Sequence, residues 1–391
     1  MNRIVNTSVF NNPISVSSLR GIIHNDPIIT ILENHIDIFP TGNMSRGTEL
    51  NIQNGIEYEN NVIELFQSRA DQLGLTYDFE MNQCFINIYD RNKRTCIDIE
   101  NEVDIISQGG LYKYNTGRTL QGIPDIIISN RAFGLMFPDM VDEEQMNSPG
   151  YSIIEIKNCS LHFNTKGNID NNKNKNMIQY KVQSVMYREM LVNTLYEDIY
   201  DPSNIKCYIM GKNMVLGEVS PEEIVGFRKE TVTEFYQRCI DQYLYVKSND
   251  FHNSVNPFQD LCQIVAQNPH LGPNMSNKSE MWDSIKKKIA LKTFELTLLP
   301  KLGAKQKFKL LNRGITSWRD PSLTAEDLGY KNTTNDPFIV ERINAIMDLH
   351  RFSTEDVYYP RILKPQVRRL IERVSPIEAF LDLETVNLNG G

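Results

Sequence analysis

Charge placed inside short, β-branched apolar runs constrains this chain more than any other feature. Two such runs lie close together, Gly122-Ile-Pro-Asp-Ile-Ile-Ile-Ser129 and Tyr151-Ser-Ile-Ile-Glu-Ile-Lys157. Each is short, rich in isoleucine and bounded by turn residues, which predicts a buried strand rather than a helix. The segment between them carries Gly134, Pro138, Asp139, Asp142, Pro149 and Gly150 and predicts a loop. Asp125 sits inside the first run, and Glu155 and Lys157 inside the second. Burying an unpaired carboxylate is costly, so these charges need partners. Side chains alternate along a strand, which puts Glu155 and Lys157 on the same face as Ile153. Two carboxylates and one ammonium meeting at the ends of neighbouring strands would make a divalent-metal site with a lysine beside it.

Composition narrows the setting. At 391 residues the chain exceeds one typical domain and is expected to hold two or three units. A hydrophobic share of 40% and a charged share of 23% are those of an ordinary globular protein. The net charge of -8 leaves nucleic-acid binding, if any, to local patches. Cys84, Cys96, Cys159, Cys207, Cys239 and Cys262 are scattered with no C-x-x-C, against a zinc ribbon or a disulfide scaffold and for a reducing compartment. No signal-peptide core and no membrane-spanning apolar run is visible, so a soluble, intracellular protein without a membrane partner is expected. Serine-hydrolase, zinc-protease and P-loop chemistries lack their motifs, since there is no G-x-S-x-G, no H-E-x-x-H and no G-x-x-x-x-G-K.

Other segments flank the charged strands. Residues 1–50 read as an arm packed on the first domain, with a strand or turn at Pro13–Ser17 and a helix opened by Asp26 and Pro27. In Asn54–Phe66, Ile56, Val62, Ile63 and Phe66 recur at helical spacing, with Glu59 one turn before Ile63. Residues 75–112 read as strands and loops, with Thr95-Cys-Ile-Asp-Ile99 and Val103-Asp-Ile-Ile-Ser107 as strands. A polar stretch, 166–176, reads as a mobile loop. A helix over Met177–Val192 packs Ile178, Val182, Val185 and Met186, and it carries Gln183 and Tyr187 on one face. A strand at Ile205–Met210 and a helix at Glu222–Tyr245 would complete the unit, and 246–280 reads as a linker.

Taken in order, these residues resemble a RecB-family PD-(D/E)XK nuclease: Glu59 on the first helix, Pro124-Asp125, then Glu155-x-Lys157, then Gln183-x-x-x-Tyr187. The resemblance covers 51–245 and implies a restriction-endonuclease-like α/β core, a central mixed sheet flanked by helices, with a mostly helical region after it. It further implies that Glu59, Asp125, Glu155 and the backbone carbonyl of Ile156 hold Mg2+ or Mn2+, while Lys157 positions the attacking water. Gln183 and Tyr187 would orient these groups. The iron–sulfur members' cysteine cluster is missing, so no cluster is expected. The implied activity is phosphodiester hydrolysis of nucleic acid, DNA favoured over RNA, in replication, recombination or repair, with a helicase or replication protein as partner. The alternative is a catalytically silent nucleic-acid-binding protein of the same fold, which would be expected to have lost one of Glu59, Asp125, Glu155 and Lys157.

The C-terminal part adds charge. From 281 to 314 nine basic residues face two acidic ones, Asp283 and Glu295. Leu302-Gly303-Ala304, a Lys-rich helix and Gly314-Ile-Thr-Ser-Trp318 make 281–330 resemble helix–hairpin–helix repeats. That implies phosphate contacts from Lys286, Lys287, Lys288, Lys301, Lys305, Lys307, Lys309 and Arg313; a helical hairpin with a solvated basic face is the alternative. Residues 331–391 read as a helical tail with a basic helix (Lys364, Arg368, Arg369, Arg373). It ends in Ala379-Phe-Leu-Asp-Leu-Glu-Thr-Val386, where Asp382 and Glu384 resemble the first strand of an RNase H-like domain. The chain ends seven residues after Glu384, so that strand is expected to be isolated, in a fragment or a natural short form.

Overall fold

The computed structural model describes residues 13–39, 41–79, 87–114, 119–141, 143–173, 176–194, 201–248, 251 and 254–352. Cys84, the basic helix of the tail, Asp382 and Glu384 lie outside them. Within them the chain is α/β: a mixed six-stranded sheet with helices on both faces, followed by a helical region.

Two short helices come first, α1 (Val16–Ile23) and α2 (Pro27–Asn34). Ser15 closes a capping box on α1, and Pro27 opens α2 as expected. Asp26 makes no side-chain cap on α2; its carboxylate turns inward to Lys286 instead. Helix α3 (Arg46–Leu73) is capped by Ser45 and stopped by Gly74, whose φ of 65° favours a residue without a Cβ. Val62, Phe66 and Ala70 form its buried stripe, whereas Ile56 is 56% exposed because the first half of the helix stands clear of the core.

β1 (Tyr77–Asp78) precedes α4 (Ile88–Glu100). The Thr95–Ile99 run expected as a strand lies inside α4. Asn87 caps that helix, and Arg91, Thr95 and Ile99 share its buried face one turn apart, a period that five residues alone do not reveal. Next come β2 (Ile105–Ser107), β3 (Leu111–Lys113), β4 (Leu120–Gly122), β5 (Ile126–Ser129), helices α5 (Asn130–Met136) and α6 (Glu143–Asn147), and β6 (Tyr151–Ile156). The expected strand 122–129 is thus divided. Gly122 ends β4, which pairs with β3, while the isoleucines after Pro124 form β5 of the main sheet. The segment expected as a loop between the charged runs holds two short helices.

Helix α7 (Met177–Thr194) crosses from β6 to the parallel strand β7 (Cys207–Met210), and β8 (Leu216–Glu218) closes the edge. The sheet order is β1-β2-β5-β6-β7-β8. Alternation sorts its side chains cleanly. Ile106, Ile127, Ile153 and Ile209 pack with α7, and Ile105, Ile126, Ile154, Ile156 and Met210 pack with α3 and α5. The polar stretch after Lys157 is pinned where Ile169 enters the core and its carbonyl accepts from the buried Lys181.

Residues 222–245, expected as one helix, begin as a hairpin of β9 (Ile224–Val225) and β10 (Glu230–Thr231). Thr231 and Glu234 then form the capping box that starts α8 (Val232–Lys247). The stretch expected as a linker contains α9 (Pro257–Gln267), whose Asn256 and Pro257 are a cap and a first helical residue. Its Leu261, Cys262 and Val265 pack with Ile28, Leu32 and Trp282. Beyond it lie α10 (Asp283–Thr293), α11 (Ala304–Asn312) and α12 (Ile339–Phe352). Leu296, Leu302, Leu310, Ile315 and Met347 form their own small core. No helix among the described residues is long and apolar enough to cross a membrane.

Candidate active site

The register of β5 on β6 builds the site. Ile126 pairs with Ile154 in an antiparallel ladder, so the residue before the one stands opposite the residue after the other. Those residues are Asp125 and Glu155. Both sit at i±2 from isoleucines that face α7, so their side chains share that face. Asp125 is held by the Ile156 amide, which donates to its Oδ2 at 2.6 Å. Lys157 reaches back so that its Nζ lies 2.7 Å from Glu155 Oε2 and 3.6 Å from Asp125 Oδ2. One ammonium therefore serves two carboxylates.

Glu155 is completely buried, and its Oε1 has no hydrogen-bond partner among the described residues. Burial first, and the neighbouring Asp125 second, push its carboxyl up to about 8 against the pull of Lys157. For Lys157, burial alone would lower the pKa, but the two carboxylates outweigh it and hold the ammonium charged. An orphaned carboxylate oxygen beside a second carboxylate fits a hard divalent cation, which would favour both in ionised form. Among the described residues no three His, Cys, Asp or Glu side chains gather as a metal-holding group, so the side-chain donors at the centre are a pair.

Glu59 is set back from that pair on α3. Burial raises its pKa first and the Asp125 charge second, so it lies within electrostatic reach of the centre. Its Oε1 accepts from Gln108 Nε2 at 2.7 Å. The Tyr58 hydroxyl ties α3 to the carbonyl of Gly211 at 2.7 Å, just past β7. Gln108 is a further member of the site. It follows β2 with φ 53°, and its amide donates to the Asp125 carbonyl at 2.9 Å. It thus links Glu59 to the Asp125 backbone, a role with no local sequence signal beyond a polar residue at a strand end.

On α7, Gln183 Nε2 donates to the Tyr187 hydroxyl at 3.1 Å. Burial chiefly, with the Glu155 charge next, raises the pKa of that phenol. The tyrosine ring also explains Gly122, where a Cβ would stand 2.1 Å from Tyr187 Cε1. Tyr180, two turns earlier, offers its ring to the Lys157 ammonium at 5.6 Å from the centroid. The structure therefore brings Glu59, Asp125, Glu155, Ile156, Lys157, Gln183 and Tyr187 to one neighbourhood.

The basic segment divides differently. Lys286 is buried, with its Nζ 2.7 Å from Asp26 and donating to the Asn277 carbonyl. Lys307 is also buried, 2.9 Å from Glu295 and 3.0 Å from the Gly272 carbonyl. Neither is available to a phosphate, because each ammonium neutralises an interior carboxylate. Arg313 pairs with Asp327 on the surface, and Lys301 stacks 4.0 Å from the Tyr330 ring centroid. Lys287, Lys288, Lys305 and Lys309 remain exposed. Compared with protein-family models, curated proteins and solved structures, the chain gave no match.

Proposed function

We propose that this chain is a metal-dependent nuclease of the PD-(D/E)XK type, RecB-like, hydrolysing phosphodiester bonds with DNA as the favoured substrate. The observation that carries the reading is the convergence of Asp125, Glu155 and Lys157 at adjoining strand ends, with Glu155 Oε1 left unpartnered inside the protein. Asp125, Glu155 and the carbonyl of Ile156 would hold Mg2+ or Mn2+, with Glu59 contributing from α3. Such an ion, when bound, lowers the pKa of a water and neutralises charge on phosphate oxygens. Lys157 supplies a fixed positive charge where negative charge builds in the transition state. Tyr180 and the two carboxylates limit the directions that ammonium can take. Gln183 and Tyr187 hold the α7 side of the centre, and Gln108 fixes Glu59.

The test is cleavage of labelled single-stranded, duplex and flapped DNA, and of RNA, in Mg2+, Mn2+ or EDTA. Strand cleavage should require the divalent ion and fall by about a hundredfold or more in Asp125→Ala, Glu155→Ala and Lys157→Ala. Lys157→Ala should keep ion binding, while the two acidic variants weaken it. Wild-type rates in all three variants under Mn2+ would remove the assignment.

A further inference from the structure

A second site stands on different elements from the carboxylate pair. The β9–β10 hairpin, α8, the turn before Gly272 and the start of α11 enclose a recess against the α1–α2 corner. It is a small recess, about 50 Å³ in volume, open to solvent on one side. Its polar lining is almost wholly cationic or hydrogen-bond donating, from Arg228, Arg238, Gln242, His270 and Lys307, with Asn25 at the corner.

The charge balance decides what it can take. Among the described residues, Glu230 and Glu295 are the carboxylates paired with these groups. Glu230 grips Arg238 through two bonds of 2.7 and 2.8 Å, and Glu295 pairs with Lys307 at 2.9 Å. Those two pairs are neutral overall and hold their cations in place. Arg228 has no carboxylate at ion-pair distance among the described residues. Its guanidinium instead lies over Phe308, 4.1 Å from the ring centroid, which fixes the fork while leaving its N–H groups free for a ligand. Burial first, then the charges of Arg228 and Lys307, lower the pKa of His270. Ala304 lines the same recess at the first turn of α11, where Gly303 supplies no side-chain cap.

We infer that this recess binds a phosphoryl group, with Arg228 as its principal contact and His270 and the opening turn of α11 as supporting donors. A tetrahedral dianion suits several converging donors around one net positive charge, which a neutral or cationic ligand does not. The phosphoryl group can belong to free phosphate, to a terminal nucleotide or to the internal backbone of a nucleic acid. The site does not depend on the nuclease reading, because none of its residues belongs to the carboxylate centre.

The experiment is calorimetric titration of the full chain, in EDTA, with inorganic phosphate. Matched oligonucleotides carrying a 5′-phosphate or a 5′-hydroxyl follow. Saturable phosphate binding is expected, with Arg228→Gln weakening it by about tenfold or more, the worth of one charge-assisted contact. Arg228 is exposed and outside the core, so this variant should fold, as its unchanged melting temperature would verify. Weakening by Arg228→Gln of the 5′-phosphorylated strand alone assigns a terminal phosphate. Equal weakening of both strands assigns the backbone, and weakening confined to inorganic phosphate assigns a small ligand. The inference is overturned if the wild type takes up no phosphate, or if Arg228→Gln binds it as the wild type does. It also fails if Lys93→Gln, a charge change on the exposed face of α4, weakens binding equally.

Discussion

Glu155 lies wholly inside the protein beside Asp125, so ionising it sets burial and like charge against the single ammonium of Lys157. Its folded pKa is raised from 4.5 to about 8. Below 4.5 the group is neutral in both states; above that, the unfolded chain releases the proton while the folded chain keeps it. Stability from this group is therefore present at low pH and lost as pH rises toward 8. Glu155→Gln should melt higher than the wild type by on the order of 5 °C at pH 9, with the gap shrinking toward pH 5. A scanning-calorimetry gap that stays constant across that range would contradict it. Gly122 is constrained by its packing. Nothing about its backbone demands glycine; the Tyr187 ring does, from a position far along the chain. Gly122→Ala should cost about 1–3 kcal/mol in denaturant unfolding by overpacking that ring. A variant as stable as the wild type would mean that Tyr187 has another place to go.

Among the elements, β6 and α7 are the most legible. β6 was readable because isoleucines flank Glu155 on both sides of a strand buried on both faces. α7 was readable because its apolar residues recur over several turns. Thr95–Ile99 is ambiguous, because a β-branched run of five residues fits a strand as well as one turn of α4. The segment at 246–280 is ambiguous for a related reason. Asn256 and Pro257 suit a linker by composition, yet they cap and open α9. Substituting Lys287, Lys288, Lys305 and Lys309 with glutamine should lower the slope of log affinity for DNA against log salt. The slope should fall by about one for each phosphate that the protein no longer neutralises, leaving the fold intact. Lys286→Ala should instead destabilise by about 3–5 kcal/mol, because it strands the carboxylate of Asp26 in the interior. Urea melts and a salt titration separate the two classes; a Lys286 variant that folds normally and binds DNA more weakly would reverse the assignment.

Across the whole molecule, Asp26–Lys286 joins the N-terminal arm to the helical region that follows the sheet. Asn274 and Asn277 complete the shell around Asp26. Local features are readable from the residue order alone. Short β-branched runs mark β6 and the isoleucines of β5, helical period marks α3 and α7, and the cost of burying charge singles out Asp125, Glu155 and Lys157. The fold sets whatever depends on partners distant in the chain. It made Lys286 and Lys307 interior counter-ions, drew Gln108 to Glu59, and set Arg228 on Phe308 at the mouth of a cationic recess. The physical reason is that a strand's period is set by its own backbone, whereas the fate of a charge is set by which opposite charge, ring or solvent the fold brings to it.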